Sequence, residues 1–243
     1  MVQGPISAPA YLLRAANYAE SDQILTLYLR QFGKISCMAR GARNSKKRFG
    51  SFLRPFCKFE AGLRVSVSQA LPLLESAQEL NSFPGLLSDL DRMSSGWRLL
   101  ELLDKLEEPG SAHPEIFDAL DHAFGELNHG YGDAGLRCEA KFLALHGWSP
   151  RLDICVHCGK NWPFNPTYFS MTEGGLLCGD CVKNRGGAWM ALHNSESLAL
   201  RALFEQEDGP VTPGRAVLTN FSQHQLGLAL RTDRFEKSLR SAF

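Results

Sequence analysis

Apolar residues in the first third of the chain come in short runs: Ala10–Arg14, Gln23–Arg30, Lys34–Arg40, Phe52–Phe59, Leu63–Ala70 and Leu73–Gln78. Leu63, Val65 and Val67 alternate with Arg64, Ser66 and Ser68, the period of a strand with one face buried. Gly33 marks a tight turn between the second and third runs, and Gly62 precedes the fifth. So many short strands in so little chain predict a small closed barrel rather than an open hairpin. Between them, Gly41 to Ser51 offers little to bury and several turn formers, which predicts an exposed loop.

From about residue 82 the spacing becomes helical. Leu86, Leu90, Met93, Trp97, Leu100 and Leu103 recur every three or four positions as one apolar stripe. Ser82 ahead of Pro84 reads as its cap, and Pro109-Gly110 as its stop. A second helix is expected from Pro114, with Ile116, Phe117, Leu120, Phe124 and Leu127 inward. A third is expected from about Gly132 to Gly147. Two more are expected near Ser195–Glu207 and Ser222–Ser241, the last opened by a Ser222/Gln225 capping box and carrying Arg231, Arg234, Lys237 and Arg240. Dipole compensation accounts for much of that basic row. The expected architecture is α+β: a barrel over residues 1–80, then a helical domain over 81–243 into which a cysteine module, 152–187, is inserted.

That module carries the clearest chemistry. Cys155-Val-His-Cys158 and Cys178-Gly-Asp-Cys181 are both C-x2-C, with 19 residues between them. This spacing is that of a two-knuckle metal site, and four thiolates suit one tetrahedral zinc ion. Gly159 and Gly179 are expected to give the knuckles the backbone freedom that turns N–H groups toward sulfur. His157 is a weaker ligand than Cys158 on spacing. A shell closed by four cysteines leaves no position for a reacting water, so the zinc is read as structural, holding a segment with few apolar residues of its own. Lys160, Lys183 and Arg185 around it leave a secondary ligand contact open. Cys37, Cys57 and Cys138 sit among apolar neighbours and read as buried, unreactive thiols.

Composition is ordinary for a globular protein: 243 residues, 44% hydrophobic, 21% charged, formal net charge zero. The neutrality hides a separation. Between Asp22 and Glu60 there is no acid, yet there are nine bases: Arg30, Lys34, Arg40, Arg43, Lys46, Lys47, Arg48, Arg54 and Lys58. From Glu75 to Glu126 the balance reverses, with 12 acids against three bases. Such sorting predicts two opposed faces, the positive one for a polyanion. A charge run can simply solvate a surface, but solvating faces mix signs. Here the cations also interleave with Tyr28, Phe32, Phe49, Phe52, Phe56 and Phe59, a combination suited to phosphate neutralisation and base stacking. Most of these aromatics must fill the barrel, leaving Phe49 as the one expected to be exposed. The candidate DNA contacts are Lys34, Arg40, Arg43, Lys46, Lys47, Arg48 and Arg54.

No phosphate loop, nucleophile elbow or H-E-x-x-H motif occurs, so a non-enzymatic role is expected. No run approaches the ~18 apolar residues of a membrane span, and Met1 to Ala10 lacks a leader pattern; the expectation is a cytoplasmic protein.

Several segments together resemble the RecO family of bacterial DNA repair and recombination mediators. They are Y-A-E-S-D-Q-I-L-T-L from Tyr18, F-G-K-I-S-C-M-A-R-G-A-R from Phe32, and F-L-R-P-F from Phe52. L-A-L-H-G-W-S-P-R-L-D-I-C-V-H-C-G from Leu143 and G-G-L-L-C-G-D-C from Gly174 resemble the start and end of that family's zinc segment. The resemblance implies an N-terminal OB-fold, binding of single- and double-stranded DNA, and annealing of complementary strands. It also implies loading of the RecA recombinase on DNA coated by single-strand-binding protein, with RecR and sometimes RecF as partners, in the nucleoid. The C-terminal tail of single-strand-binding protein is expected to dock on the helical domain. Two rival readings stay open on residues alone: an RNA-binding or transcription-associated zinc-ribbon protein, and a zinc-dependent hydrolase of nucleic acid.

Overall fold

The computed structural model describes residues 4–45, 49, 52–66, 70–183 and 187–240. The chain forms two compact units, 1–132 and 133–243. The pattern change near residue 80 therefore does not coincide with the division between units, because the first two helices pack on the barrel.

Unit one is built on five strands: β1 (Gly4–Tyr18), β2 (Asp22–Leu29), β3 (Gly33–Ala39), β4 (Cys57–Val65) and β5 (Leu73–Ser82). They close in the order β1-β2-β3-β5-β4, the Greek-key barrel of an OB-fold. Closure depends on the length of β1. Its first half pairs with β4 (Gly4↔Val65 to Tyr11↔Lys58) and its second half with β2 (Ala10↔Leu29 to Tyr18↔Asp22), with a bulge between Leu12 and Arg14 bending it from one partner to the other. The seam is completed by a parallel β3–β5 contact with a single registered pair, Met38↔Leu73. Ala10, Leu25, Leu27, Leu29, Cys37, Phe59, Ala61, Leu63 and Leu74 fill the interior.

Two of the expected strand runs differ from the structure. Residues 52–56 form a turn, ending at Phe56 with φ +58°, and β4 begins only at Cys57. Gly62 precedes no strand: β4 runs through it, with a register shift between Gly62 and Leu63.

A short 3-10 turn (Pro84–Leu87) leads into α1 (Leu90–Leu106) and α2 (Pro114–His129). Ser82 ends β5, and the cap of α1 is Asp89, whose carboxylate accepts the Arg92 N–H at 3.0 Å. Helix α2 lies against the outside of the barrel. Tyr11 and Tyr28, which alternate with the core residues of β1 and β2, point outward and meet Phe117 at 5.1 and 6.3 Å between ring centroids. Tyr11 also meets Phe124 edge-on at 5.3 Å. Both faces of β2 are thus buried, so Leu25 through Leu29 shows no alternation of burial.

Unit two joins α3 (Ala134–Leu145), a three-stranded sheet of β6 (Thr167–Ser170), β7 (Gly175–Cys178) and β8 (Trp189–Leu192), the helical turn α4 (Gly179–Val182), and helices α5 (Asn194–Phe204), α6 (Arg215–Leu226) and α7 (Arg231–Arg240). The expected Ser222–Ser241 helix is two helices. Gly227, at φ +66°, stops α6. Ser222 lies inside α6 with its hydroxyl donating to the Thr219 carbonyl, so it caps nothing. The capping box occurs instead at α5, where the Glu196 carboxylate accepts the His193 N–H at 2.7 Å. The module is richer in apolar contacts than its sequence implies: Phe164, Phe169, Met171, Leu176 and Leu177 share one core with Leu143, Leu200, Val217 and Phe221. Among the described residues no helix is long and apolar enough to cross a membrane.

Candidate metal centre and basic barrel face

The sulfurs of Cys155, Cys158, Cys178 and Cys181 all lie within 4.8 Å of one another. Local backbone chemistry brings them there. The segment from Arg151 runs along β7, with Arg151 N–H donating to the Gly174 carbonyl at 2.8 Å and Val156 N–H to that of Leu176 at 2.8 Å. Cys155 is thereby held beside Cys178, whose N–H donates to the Cys155 sulfur at 3.4 Å. The first knuckle closes when Cys155 N–H donates to the Lys160 carbonyl at 2.8 Å, a turn that needs Gly159 at φ +74°. Gly179 serves differently from the expectation: its φ is unexceptional, and it is required because a Cβ would lie 2.7 Å from the Pro166 ring. The single turn α4 then returns Cys181 to the cluster.

The geometry fits a tetrahedral ion. Zinc–sulfur bonds of about 2.3 Å put neighbouring sulfurs roughly 3.8 Å apart, and the Cys158 and Cys178 sulfurs stand at 3.8 Å. Electrostatics point the same way. Burial would raise the Cys155 thiol, but the N–H groups of Cys158, Cys178 and His157 hold it down to about 6. Burial, followed by the neighbouring thiols, pushes Cys181 well up. One thiolate forms readily and the last resists, as expected of four sulfurs crowding negative charge around a point where only a cation relieves it. The cluster thus fits a zinc module able to hold one metal ion. Cys155 and Cys178 are buried, Cys181 partly so, and Cys158 exposed. By contrast, burial pushes Cys37 up to about 12 and raises Cys57 and Cys138, in keeping with inert thiols.

On the barrel, the cations of the acid-free stretch separate into two groups. Arg30, Lys34 and Lys58 turn toward the helices and find acids there. Arg30 donates twice to the Asp118 carboxylate at 2.8 Å, and Lys58 donates to Asp121 at 2.7 Å. Lys34 donates to the Asp104 carbonyl at 2.6 Å with that carboxylate at 3.8 Å, and its side chain is only 14% exposed. Asp121 also accepts the Tyr11 hydroxyl at 2.5 Å. Burial, reinforced by Asp121, drives the Tyr11 phenol far above its ordinary value and keeps it a donor. Gly33 lets the loop between α1 and α2 press onto the β2–β3 turn, since any Cβ there would collide with the Ser111 carbonyl. The basic and acidic stretches are therefore not simply opposed faces; part of each neutralises the other. The sequence signal was present, an acid-poor and an acid-rich window of one chain, but not which members would meet.

The second group is more open. Arg40 and Arg43 are exposed. Arg43 donates to the Glu20 carbonyl at 2.8 Å, which ties the start of the loop to the β1–β2 turn. Among the described residues nothing holds Arg40 in a hydrogen bond or ion pair. Arg54 stands 3.8 Å from Glu79 with its side chain 45% exposed. Lys46, Lys47 and Arg48 lie outside the described residues, as does Arg185. Phe49 corrects the expectation of an exposed aromatic. It is 1% exposed and sits in the barrel core, where its large apolar side chain acts as a plug.

Comparison with known proteins covers nearly the whole chain. The family model described as Recombination protein O N terminal matches residues 2–83, and Recombination protein O C terminal matches residues 87–232. A DNA repair protein RecO of Anaeromyxobacter dehalogenans (strain 2CP-C) is 35% identical over 235 residues, 92% of each chain. That of Syntrophus aciditrophicus is 36% identical over 181 residues, 70% of this chain and 67% of its own. That of Geobacter metallireducens is 33% identical over 174 residues, covering 71% and 70%.

Proposed function

The chain belongs to the RecO family, and on that premise we propose that it is a non-enzymatic recombination mediator in DNA repair. It binds and anneals DNA strands and helps load recombinase on DNA coated by single-strand-binding protein. The observation that carries the reading is the OB barrel whose exposed cations among the described residues, Arg40, Arg43 and Arg54, flank the loop bearing Lys46, Lys47 and Arg48. These six are the proposed phosphate contacts, and Lys34, already engaged by Asp104, contributes less. Two strands sharing this surface repel one another less, which favours pairing, and affinity falls steeply with salt.

The metal is one structural zinc ion held by Cys155, Cys158, Cys178 and Cys181. With four sulfurs around it no coordination position is left for a reacting water, which disfavours the hydrolase reading. RecR, the tail of single-strand-binding protein and in some settings RecF are the proposed partners, and the cytoplasm, at the nucleoid, is the proposed location. The test is annealing of complementary oligonucleotides with and without single-strand-binding protein. Acceleration in both conditions is expected. Binding without acceleration would reduce the protein to a generic DNA binder, and a clear preference for RNA of the same sequence would favour the ribbon-type alternative.

A further inference from the structure

Helix α2 covers only one end of the outer barrel face. At the covered end Tyr11 and Tyr28 meet Phe117. The other end of the same face is also apolar and stays open, as a pocket of about 310 Å3. Strand register explains its floor. Ile24 stands opposite Met38 across β2 and β3, and Met38 stands opposite Leu73 across the seam, so three strands contribute one continuous apolar strip. Period-two alternation puts Tyr18 and Arg40 on this same outer face, because they lie two residues from Ala16, the partner of Ile24, and from Met38. Leu71 completes the wall. Tyr18 is 51% exposed. Among the described residues no carboxylate lines the pocket, and its one charge is Arg40.

We propose that this pocket is a stacking site for one unpaired nucleobase, with Tyr18 against the ring and Arg40 on the adjoining phosphate. The inference rests on the DNA-binding reading above and deepens it by assigning a strand preference. The volume is at the small end of ligand pockets (about 300–1,000 Å3), suited to one planar ring. An aromatic ring beside an apolar floor accepts any base through its π-face, while Arg40, in no ion pair among the described residues, is available to phosphate. The nearby Asp22 carboxylate accepts the Gly41 N–H at 2.8 Å instead. Tyr18, at the turn between β1 and β2, and Ala70 and Leu71, leading into β5, line the pocket, in the region where OB barrels hold oligonucleotides. A base stacked inside a duplex cannot enter, so the pocket selects single strands.

The test compares a short oligothymidylate, an abasic oligomer of equal length and a duplex, each binding to the full chain. The thymidylate is expected to bind about ten-fold more tightly than the abasic strand. Tyr18→Ala should erase that difference while leaving abasic and duplex affinity unchanged, and Tyr18→Phe should preserve it. A 5-iodouridine-bearing strand should cross-link to Tyr18 on irradiation, a readout that needs no variant. Equal binding of thymidylate and abasic strands overturns the pocket but leaves the phosphate-binding reading standing. Absence of binding by all three overturns both. If an acidic peptide ending in phenylalanine binds here and loses affinity with Tyr18→Ala while the thymidylate does not, the site belongs to a protein tail and the proposal fails.

Discussion

Unit one and unit two solve the same electrostatic problem in different ways. In the first, cations on the barrel are met by acids on α1 and α2, so Arg30, Lys34 and Lys58 are balanced within the chain. In the second, four sulfurs converge within 4.8 Å of one another, an arrangement that could hold one metal ion to balance their charge. Charge that closes internally costs little to keep and is unavailable to a ligand. Charge left open needs a counter-charge from outside the chain, the role proposed for a metal ion at the cysteines and for DNA phosphate at Arg40 and Arg43.

The sharpest way to break this contrast is at the cysteines. Cys178→Ser should release the metal and destabilise unit two by several kcal/mol, since structural zinc in small modules supplies ~10 kcal/mol or more of folding free energy. Metal content with a two-transition thermal melt checks it, and unchanged stability would end the structural reading. Next, Lys46→Glu with Lys47→Glu and Arg48→Glu should lower DNA affinity by on the order of 100-fold at physiological salt. Each lost phosphate contact should also reduce the salt slope by about 0.9. Circular dichroism should show the fold intact, and unchanged affinity would remove the loop from the contact surface.

Asp121→Ala should cost about 2 kcal/mol, because it strands both the Lys58 ammonium and the Tyr11 hydroxyl. Its DNA affinity should rise slightly as Lys58 becomes available. Denaturant melts and a filter-binding titration separate the two effects. Arg30→Gln should be the smallest perturbation, with melting temperature and DNA affinity both unchanged, since its exposed pair with Asp118 is already neutral. Weakened DNA binding in that variant would mean that paired cations do reach phosphate after all.

Much of this was legible in the residues and some could not be. The cysteine quartet is a local pattern whose spacing nearly dictates its geometry, and the structure brings all four sulfurs together. The barrel and the helices follow from period, because strands and amphipathic helices announce themselves over a few residues. The failures involve partners far away in sequence. Phe49 looked exposed because its neighbours are polar, yet the barrel needed a plug. Gly62 looked like a boundary because glycine usually is one, yet β4 continues through it. Ser222 and Gln225 matched a capping box, but Gly227 stops that helix only after them. Lys34 and Lys58 read as members of one positive face, and only the fold reveals Asp104 and Asp121 beside them.

The single registered pair that completes the barrel, Met38 with Leu73, has a kinetic meaning. Four of the five strand junctions are long antiparallel ladders, so the fifth is where the cylinder should unzip first. The Met38 amide, donating to the Pro72 carbonyl at 2.8 Å, reports each such opening by exchanging its proton with solvent. A strand lodged over that latch would hold it shut, and occupancy would be read as slowed exchange at one amide.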